Sequence, residues 1–375
     1  MRVSVGVDPY GTRPVTARVR WKTAAFERYS GVTGQTDSLS LKHMTDFELD
    51  PDRRLFLKRL AGAGLAVGVS GLVACTKPKK STTEPAPVGE PAPTAGTRGR
   101  IGELETVALR HASGSTAEIA IQGAHVTSWK RATGDEMLFV SANSALTAGE
   151  PIRGGIPVVF PQFAALGPLA MHGFVRTMQW EVGDVGRDPT GAVFALLRTR
   201  DTEATRAVWP HPFRASMRVT LDEALSTAIT IENTGPEAFP FHCALHTYLR
   251  VADLRKVRVE GLEGATYQDR TAKSVRRRER RRPLTVRGEV DRIYVARPGR
   301  LRIVDESRGR AILLDRAGFN DVVVWNPGEQ KARTNINLAD GEWLTMLAVE
   351  SAQIVPPVQL LPGSLWSGVQ RMRVS

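Results

Sequence analysis

The sequence predicts an all-β protein built as a large antiparallel β-sandwich, and three observations support this fold class. From about Ile101 onward, short segments alternate between apolar and polar residues, which is the period of half-buried strands. Turns rich in Gly and Pro separate these segments, whereas helical periodicity is scarce. The chain has 375 residues, of which 42% are hydrophobic, so it can bury the core of one large domain.

The individual elements follow from this alternation. The clearest predicted strands are residues 116–121, 213–221, 225–231, 301–304 and 311–314. The second and third of these strands flank a short turn, as do the fourth and fifth, so each pair predicts a hairpin with one buried face. One short helix is predicted over residues 202–208, because Trp209-Pro210 would end it.

The region before the predicted sandwich divides into three parts. Residues 1–43 show no sustained periodicity, and we expect a disordered extension or a start codon placed too early. Residues 44–75 resemble a twin-arginine export signal, in which Arg53-Arg54 precedes an apolar segment that ends at Cys75, as in a lipoprotein box. Residues 76–100 are rich in Pro, Thr and Ala and predict a tether, which leaves residues 101–375 as the folded domain.

The pattern around Cys75 predicts a protein that is exported to the periplasm and held at a membrane by a lipid anchor. Thr76, rather than Asp, follows the cysteine and favours the outer membrane. Cys243 is the only other cysteine, so the acylated protein would form no internal disulfide. The alternative is that residues 60–74 form a buried core helix and that Cys75 is an ordinary small apolar side chain.

The charge distribution contains one dense basic run. The formal net charge is +12, which suits anionic partners such as nucleic acid, membrane surfaces or phosphorylated substrates. Residues 275–282, VRRRERRR, lack neighbouring aromatic residues on which bases could stack. We therefore interpret this run as a solvated loop and expect no nucleic-acid partner.

Residues 151–176 form the most informative stretch of the chain. The short apolar run Val158-Val159-Phe160 predicts a buried strand, and Gly and Pro on both sides predict turns. Arg153 lies beside two glycines and Arg176 follows His172-Gly173, so these polar groups lie where a ligand or another backbone can approach closely. From spacing alone, two solvated loop arginines remain the alternative.

The motifs in this stretch and beyond it resemble one family. In order, they are IRGGIPVVFPQF, HGFVR, LHTYLRVADLRKVRVEGLEGATYQD, EVDRIYVA, FNDVVVWNP, TMLAVESA and LLPGSLW. From about Leu104 to the C-terminus the chain is similar to the hexose-6-phosphate mutarotases, or glucose-6-phosphate 1-epimerases, of the aldose 1-epimerase family. The resemblance implies a sandwich of the galactose-mutarotase type with its site in a cleft on one sheet.

The resemblance also implies an isomerase that opens and recloses a pyranose ring without a cofactor, a metal or a covalent intermediate. It assigns the general acid to His246 and the general base to Glu350. Glu350 follows four apolar residues, so we expect burial to raise the pKa of its carboxyl group. From the residues alone, a core histidine and a solvated glutamate remain the alternative.

The remaining site residues are also carried over from the family. His172 and Asp291 match positions that bind sugar hydroxyls, and Asp321 is a weaker candidate for that task. Arg153 and Arg176 match the arginines that bind the phosphate of hexose 6-phosphates, because a guanidinium group binds phosphate through two parallel hydrogen bonds.

Two departures from the family pattern bear on the substrate. Met171 replaces a substrate-binding glutamine, and Gly328 replaces a tryptophan after the motif WNP. Three hypotheses therefore stand: a mutarotase of hexose 6-phosphates, a periplasmic mutarotase of neutral aldoses, and a non-catalytic sugar-binding lipoprotein. We expect a monomer in each case.

Overall fold

The computed structural model describes residues 96–297 and 299–375, and within them it confirms the all-β fold class. The export pattern of residues 44–75, including Cys75, and most of the predicted tether lie outside the described residues. Among the described residues, no helix has the length and apolar character needed to cross a membrane.

The described residues contain strands and two short α-helices in the following order. The strands are β1 (Gly96–Ile101), β2 (Leu104–Arg110), β3 (Thr116–Ala120), β4 (His125–Lys130), β5 (Val158–Val159), β6 (Glu181–Arg187), β7 (Val193–Arg200), β8 (Phe213–Leu221), β9 (Leu225–Asn233), β10 (Phe239–Leu245), β11 (Tyr248–Arg250), β12 (Val257–Glu260), β13 (Thr266–Asp269), β14 (Val275–Arg278), β15 (Leu284–Thr285), β16 (Val290–Tyr294), β17 (Leu301–Asp305), β18 (Arg310–Ala317), β19 (Asp321–Asn326), β20 (Met346–Leu360) and β21 (Leu365–Val374). The helices are α1 (Glu203–Val208) and α2 (Gly328–Arg333).

These strands form three antiparallel sheets. One has the order β1-β2-β3-β4, and a second has the order β15-β12-β17-β18-β21-β9-β8-β7-β6. The third has the order β14-β13-β16-β19-β20-β10-β5, and β11 also pairs with β20. We call this third sheet the site sheet, because the candidate site residues lie on its strands and on the loops between them.

The predicted local elements are confirmed. β8 and β9 form a hairpin in which alternate residues are buried, and β17 and β18 form the second hairpin. Helix α1 begins after Thr202, whose hydroxyl accepts a hydrogen bond from the backbone N–H of Thr205, and it ends before Pro210. Val158, Val159 and Phe160 are buried, as the apolar run predicts.

The basic run departs from the predicted loop. Val275–Arg278 is β14, which pairs with β13 at the edge of the site sheet. An edge strand can expose its side chains to water while its backbone is paired on one side, so a charged run is compatible with a strand there. The run is solvated apart from Glu279, which is buried and accepts hydrogen bonds from Arg292 and from the hydroxyl of Tyr294.

The start of the folded domain also differs from the predicted position. β1 begins at Gly96, five residues before Ile101, because residues 96–101 pair along their whole length with β2. The last residues of the predicted tether therefore belong to a sheet. Their side chains are mostly exposed, which explains why no apolar alternation marked them.

The two faces of β20 have different neighbours, and this difference positions the site. Leu347 and Val349 belong to the large core that also includes residues of the nine-stranded sheet, such as Phe213. Ala348, Glu350 and Ala352 alternate with them and so lie on the other face of the strand. The candidate site therefore lies on the face of the site sheet that is turned away from the main sandwich core.

Candidate active site

Antiparallel pairing brings the candidate residues of three neighbouring strands to one face of the site sheet. Glu350 of β20 pairs with Val323 of β19, and Trp325, two residues further on, pairs with Asp291 of β16. Residues paired directly, and residues two apart, project from the same face of a sheet. Glu350 and Asp291 therefore share a face with Trp325 between them.

His246 reaches the same place from the connection between β10 and β11. Its Nε2 atom lies 3.3 Å from Oε1 of Glu350, and the two side chains are only 9% and 1% exposed. Nδ1 of His246 and Oε2 of Glu350 are buried and have no hydrogen-bond partner among the described residues. The pair predicted as acid and base is thus in contact and keeps one polar atom free on each side.

The environment shifts both groups of this pair towards their neutral forms. Burial, followed by the electrostatic effects of His172, Arg153 and Arg176, lowers the pKa of His246 well below its usual value. Burial, followed by the carboxylate of Asp291, raises the pKa of Glu350 well above its usual value. Burial, the cause expected from the sequence, therefore raises the Glu350 pKa together with a second cause, the negative charge of Asp291.

Tyr248 holds the imidazole of His246 from one side. The two rings are stacked, with their centroids 4.5 Å apart, and the Tyr248 hydroxyl accepts a hydrogen bond from Nη1 of Arg153 at 3.1 Å. The Nε atom of Arg153 is buried and has no partner among the described residues. One arginine of the predicted phosphate site is therefore linked through Tyr248 to the predicted acid.

Two glycines let the backbone of this region pack closely. A Cβ atom on Gly154 would lie 2.3 Å from the carbonyl oxygen of Phe139, and one on Gly173 would lie 2.1 Å from that of Phe160. Both glycines have positive φ angles, a region that other residues rarely adopt. Gly154 and Gly173, which precede or follow the two arginines closely in sequence, thus let another stretch of backbone approach. The sequence alone leaves open whether a backbone or a ligand would do so.

His172 lies against the predicted acid. Its ring meets that of His246 edge-on, with centroids 5.5 Å apart, and its φ angle is 69°, which is uncommon and strained for a residue with a side chain. Burial and the charges of Arg176, Arg270 and Arg153 lower its pKa to about 3. His172 is therefore neutral at physiological pH and can bind a hydroxyl group without adding charge.

Arg176 is tied to its own loop. Its Nη2 atom donates a hydrogen bond to the carbonyl oxygen of Met171 at 2.7 Å, while the Met171 side chain is 58% exposed. The positive charges of Arg176 and Arg153 act on each other and on His246, so both arginines lie within electrostatic range of the predicted acid.

The two predicted aspartates have different surroundings. Asp291 is partly buried, and its carboxylate lies 3.2 Å from Nε of Arg270. Asp321 is fully buried and accepts hydrogen bonds from the backbone N–H groups of Ala296, Ile354 and Val355. These bonds occupy the Asp321 carboxylate, so its candidacy for sugar binding is wrong and its role is structural.

Three residues of the site were not assigned by the sequence. Tyr248 and Trp325 lie within recognised motifs, and each is two residues from a position on the site face, so strand alternation carried a signal for both. Arg270 lies one residue beyond the motif that ends in YQD, and no periodicity marked it. Among residues 96–297 and 299–375, no three His, Cys, Asp or Glu side chains come together as metal ligands.

Comparison with known proteins shows the family of the chain. The profile of the aldose 1-epimerase family matches residues 105–373. A protein of Cenchrus ciliaris is 37% identical over 273 residues, which are 71% of this chain and 83% of that protein. A protein of Escherichia coli is 33% identical over 259 residues, which are 68% and 85% of the two chains. Both relatives carry the name "Putative glucose-6-phosphate 1-epimerase".

Solved structures extend the comparison to the fold. A Salmonella typhimurium protein described as a "putative mutarotase (YeaD)" has a TM-score of 0.70 and 27% identity, and the match covers 76% of this chain and 94% of that one. A galactose mutarotase related enzyme of Lactobacillus acidophilus has a TM-score of 0.56 at 15% identity and covers 71% and 96%, which supports the fold alone. The sandwich is therefore of the galactose-mutarotase type. The chain belongs to the aldose 1-epimerase family, and it is an isomerase that acts on sugars.

Proposed function

We propose that this isomerase interconverts the α- and β-anomers of hexose 6-phosphates by general acid–base ring opening, without a cofactor. The observation that carries the proposal is the buried contact between His246 and Glu350, in which each side chain keeps one polar atom that has no partner within the part of the chain that the structure describes. Two titratable groups in this arrangement can remove a proton from one oxygen of a sugar ring and deliver a proton to another. Since the chain is an isomerase, the non-catalytic sugar-binding hypothesis is not retained.

The proposed reaction moves one proton onto the ring oxygen and one off the anomeric hydroxyl. Glu350 removes the proton from O1, the C1–O5 bond breaks with its electron pair going to O5, and O5 takes a proton from His246. Rotation about C1–C2 turns the aldehyde, and the same transfers in reverse close the ring with the opposite configuration. The pair carries one proton before and after opening, so no external acid or base is consumed.

The charges around the pair favour a phosphorylated substrate. Arg153 and Arg176 both lower the pKa of His246, so they oppose the protonated form that the acid role needs. A phosphate dianion bound between these arginines would offset their charge and favour the protonated imidazole. A hexose 6-phosphate would in this way help to prepare the acid that opens its own ring.

The names of the relatives support the same substrate class. The Cenchrus ciliaris and Escherichia coli proteins are named for glucose 6-phosphate, and each aligns with more than two thirds of this chain. The alignment lengths agree with the extent of the family match, residues 105–373, so the similarity covers the whole candidate site.

Neutral aldoses are the second candidate, and one contact favours them. Arg176 donates to the Met171 carbonyl oxygen, so its guanidinium group already holds the loop that carries Met171. If neutral aldoses are the substrates, Arg176 would hold the loop in shape and would bind no phosphate. The exposed Met171 side chain would then stand in place of a polar sugar-binding group.

A panel of pure α-anomers tests the proposal. The full domain is mixed with glucose 6-phosphate, glucose or galactose, and anomer exchange is followed by polarimetry or NMR above the spontaneous rate. We expect the phosphosugar to have the highest kcat/KM, with inorganic phosphate as a competitor. Equal or faster exchange of the neutral sugars would establish the second candidate instead.

We also propose that the domain is exported and lipid-anchored at Cys75. The support is the order of Arg53-Arg54, an uncharged segment, the cysteine and a Pro-rich stretch in the sequence. In this location the substrate would be a sugar phosphate or a neutral aldose present in the periplasm.

A further inference from the structure

Arg270 is a site residue to which neither the sequence motifs nor the proposed proton transfers give a role. It begins a 3-10 turn, Arg270–Ala272, in the connection between β13 and β14. Its Nε atom lies 3.2 Å from the carboxylate of Asp291, and its guanidinium carbon lies 5.6 Å from the ring centroid of Phe163. The Phe163 ring in turn meets the imidazole of His172 edge-on at 5.3 Å.

These contacts place a positive charge between two sugar-binding candidates. Arg270 and Asp291 are 23% and 20% exposed, so their ion pair is shielded from water on most sides. Partly buried pairs are screened much less than surface pairs, and breaking one leaves a charge without compensation. The pair is therefore expected to affect its neighbours more strongly than the many exposed ion pairs of the described residues.

We propose that Arg270 is a positioning residue of this site. It keeps Asp291 in its carboxylate form, which can accept a hydrogen bond from a sugar hydroxyl. The charge of Arg270 also offsets the effect of the Asp291 charge on Glu350. The inference rests on the proposed mutarotase function, which it deepens. In this assignment Arg270 acts through Asp291 and does not touch the reacting atoms of the sugar.

The first part of the argument concerns Asp291 itself. Burial favours the neutral carboxylic acid and raises the pKa of Asp291, while the charge of Arg270 and its hydrogen bond act in the opposite direction. A protonated Asp291 would have lost the negative charge that makes it a strong acceptor for a hydroxyl group. Without Arg270, the site would thus bind the sugar less tightly at neutral pH.

The second part concerns Glu350. Among the described residues, His246 from the β10–β11 connection contacts Glu350, and the Glu350 carboxylate raises the pKa of Tyr248 of β11. Asp291 from β16 and Arg270 from the β13–β14 connection act on the pKa of Glu350 itself. Asp291 raises the pKa of Glu350 and Arg270 lowers it. The two charges oppose each other at Glu350, so removal of Asp291 exposes the effect of Arg270. Removal of Arg270 exposes the effect of Asp291 at every pH at which Asp291 is still ionised.

The test compares pH–rate profiles of single variants with glucose 6-phosphate as substrate. We expect Arg270→Gln to move both limbs of kcat/KM to higher pH by about half to one unit, and Asp291→Asn to move both to lower pH by a similar amount. Arg270→Gln should also raise KM by about ten-fold while kcat at the new optimum stays within about three-fold. Arg270→Lys retains the charge but not the guanidinium geometry. Its pH limbs should therefore return close to the wild-type positions, while its KM should stay above the wild-type value.

A neighbouring arginine supplies the matched control. Arg277 of β14, whose side chain is 53% exposed, lies 3.6 Å from Asp269 on the same hairpin. Arg277→Gln removes the same charge from the same region, and we expect its pH limbs to stay at the wild-type positions. This control separates an effect of the Arg270–Asp291 pair from a general change in surface charge.

The outcome that would overturn the inference is distinct from failure of the proposed function. If Arg270→Gln and Asp291→Asn shift the limbs in the same direction, or not at all, while wild type exchanges anomers normally, Arg270 does not act through Asp291. If wild type and every variant exchange no hexose 6-phosphate, the proposed substrate is wrong. In that case the same comparison with glucose shows whether Arg270 still shifts the limbs, which decides the inference by itself.

Discussion

The imidazole of His246 and the phenol ring of Tyr248 are parallel, with an interplanar angle of 9° and centroids 4.5 Å apart. Trp325 meets both rings edge-on at 6.0 Å, so the stack is closed on a second side. The Tyr248 hydroxyl accepts a hydrogen bond from Arg153. A movement of Arg153 towards a bound phosphate would therefore change a hydrogen bond of Tyr248, whose ring stacks on His246.

Tyr248→Phe separates the two tasks of Tyr248. The ring remains to stack on His246, but the acceptor for Arg153 is lost, so we expect KM for glucose 6-phosphate to rise by about three- to ten-fold with kcat nearly unchanged. Tyr248→Ala removes the stack as well and should lower kcat by about ten-fold or more. Steady-state kinetics by polarimetry measures both. A Tyr248→Phe variant with unchanged KM would show that the Arg153 contact does not matter for binding.

Substitutions in the proposed acid–base pair should cause the largest losses of activity. Glu350→Gln preserves the side-chain shape and His246→Asn leaves a smaller polar group, but both remove proton transfer, so each should lower anomer exchange by about 10²- to 10⁴-fold. Exchange is measured by NMR, with circular dichroism as the test of folding. Well-folded variants with exchange close to wild type would contradict the assignment of both residues.

The direction of the pKa shifts predicts a separate effect on stability. The pKa of folded Glu350 lies above its usual value of 4.5, so the folded state favours the protonated carboxyl group and loses stability as pH rises through that raised pKa. Glu350→Gln lacks this titration. We expect its stability, relative to wild type, to improve between pH 5 and pH 8 in urea unfolding, and a constant difference would contradict the burial of an ionisable group.

The arginines distinguish the two substrate classes. Arg153→Ala and Arg176→Ala should each weaken kcat/KM for glucose 6-phosphate by about ten- to a hundred-fold, because a charge-assisted hydrogen bond is worth about 1.5–3 kcal/mol. Glucose should be affected little, since it places nothing in the phosphate subsite. If Arg176→Ala slows both sugars equally, its bond to Met171 is the important one and neutral sugars become the better candidate.

The export proposal is tested by labelling. Expressed from Met44 in a Gram-negative bacterium, the protein should incorporate palmitate and partition into membranes, and Cys75→Ser should abolish the label. Cys243 is buried within the domain and is the other cysteine of the chain. Equal labelling of wild type and Cys75→Ser would exclude lipidation at this position.

Local patterns predicted the fold well, because each signal needed only neighbouring residues. Alternation over residues 213–221 and 225–231 was sufficient to predict a hairpin. A one-residue shift in the pairing register would have exposed the apolar side chains to solvent. Thr202 and Pro210 marked the ends of α1 in the same way. The basic edge strand β14 was missed because no buried face gave it a period.

The site was predictable only in part, for a different physical reason. His246 and Glu350 are more than a hundred residues apart, and their contact depends on how β11, β19 and β20 pair. Family motifs supplied these two residues, but they could not show that Arg270 pairs with Asp291. That ion pair arises from strand order in the site sheet, in which β13 and β16 are neighbours.

The inward orientation of Glu279 changes how the charge of the basic run is counted. The run contains six arginines and one glutamate, but the glutamate is buried with Arg292 and Tyr294 and does not face solvent. Arg292 offsets the charge of Glu279, so the arginines dominate the field that extends into solution from this edge of the site sheet. Anions that diffuse towards the molecule would be drawn to this edge, and the rate of their encounter would fall as ionic strength increases.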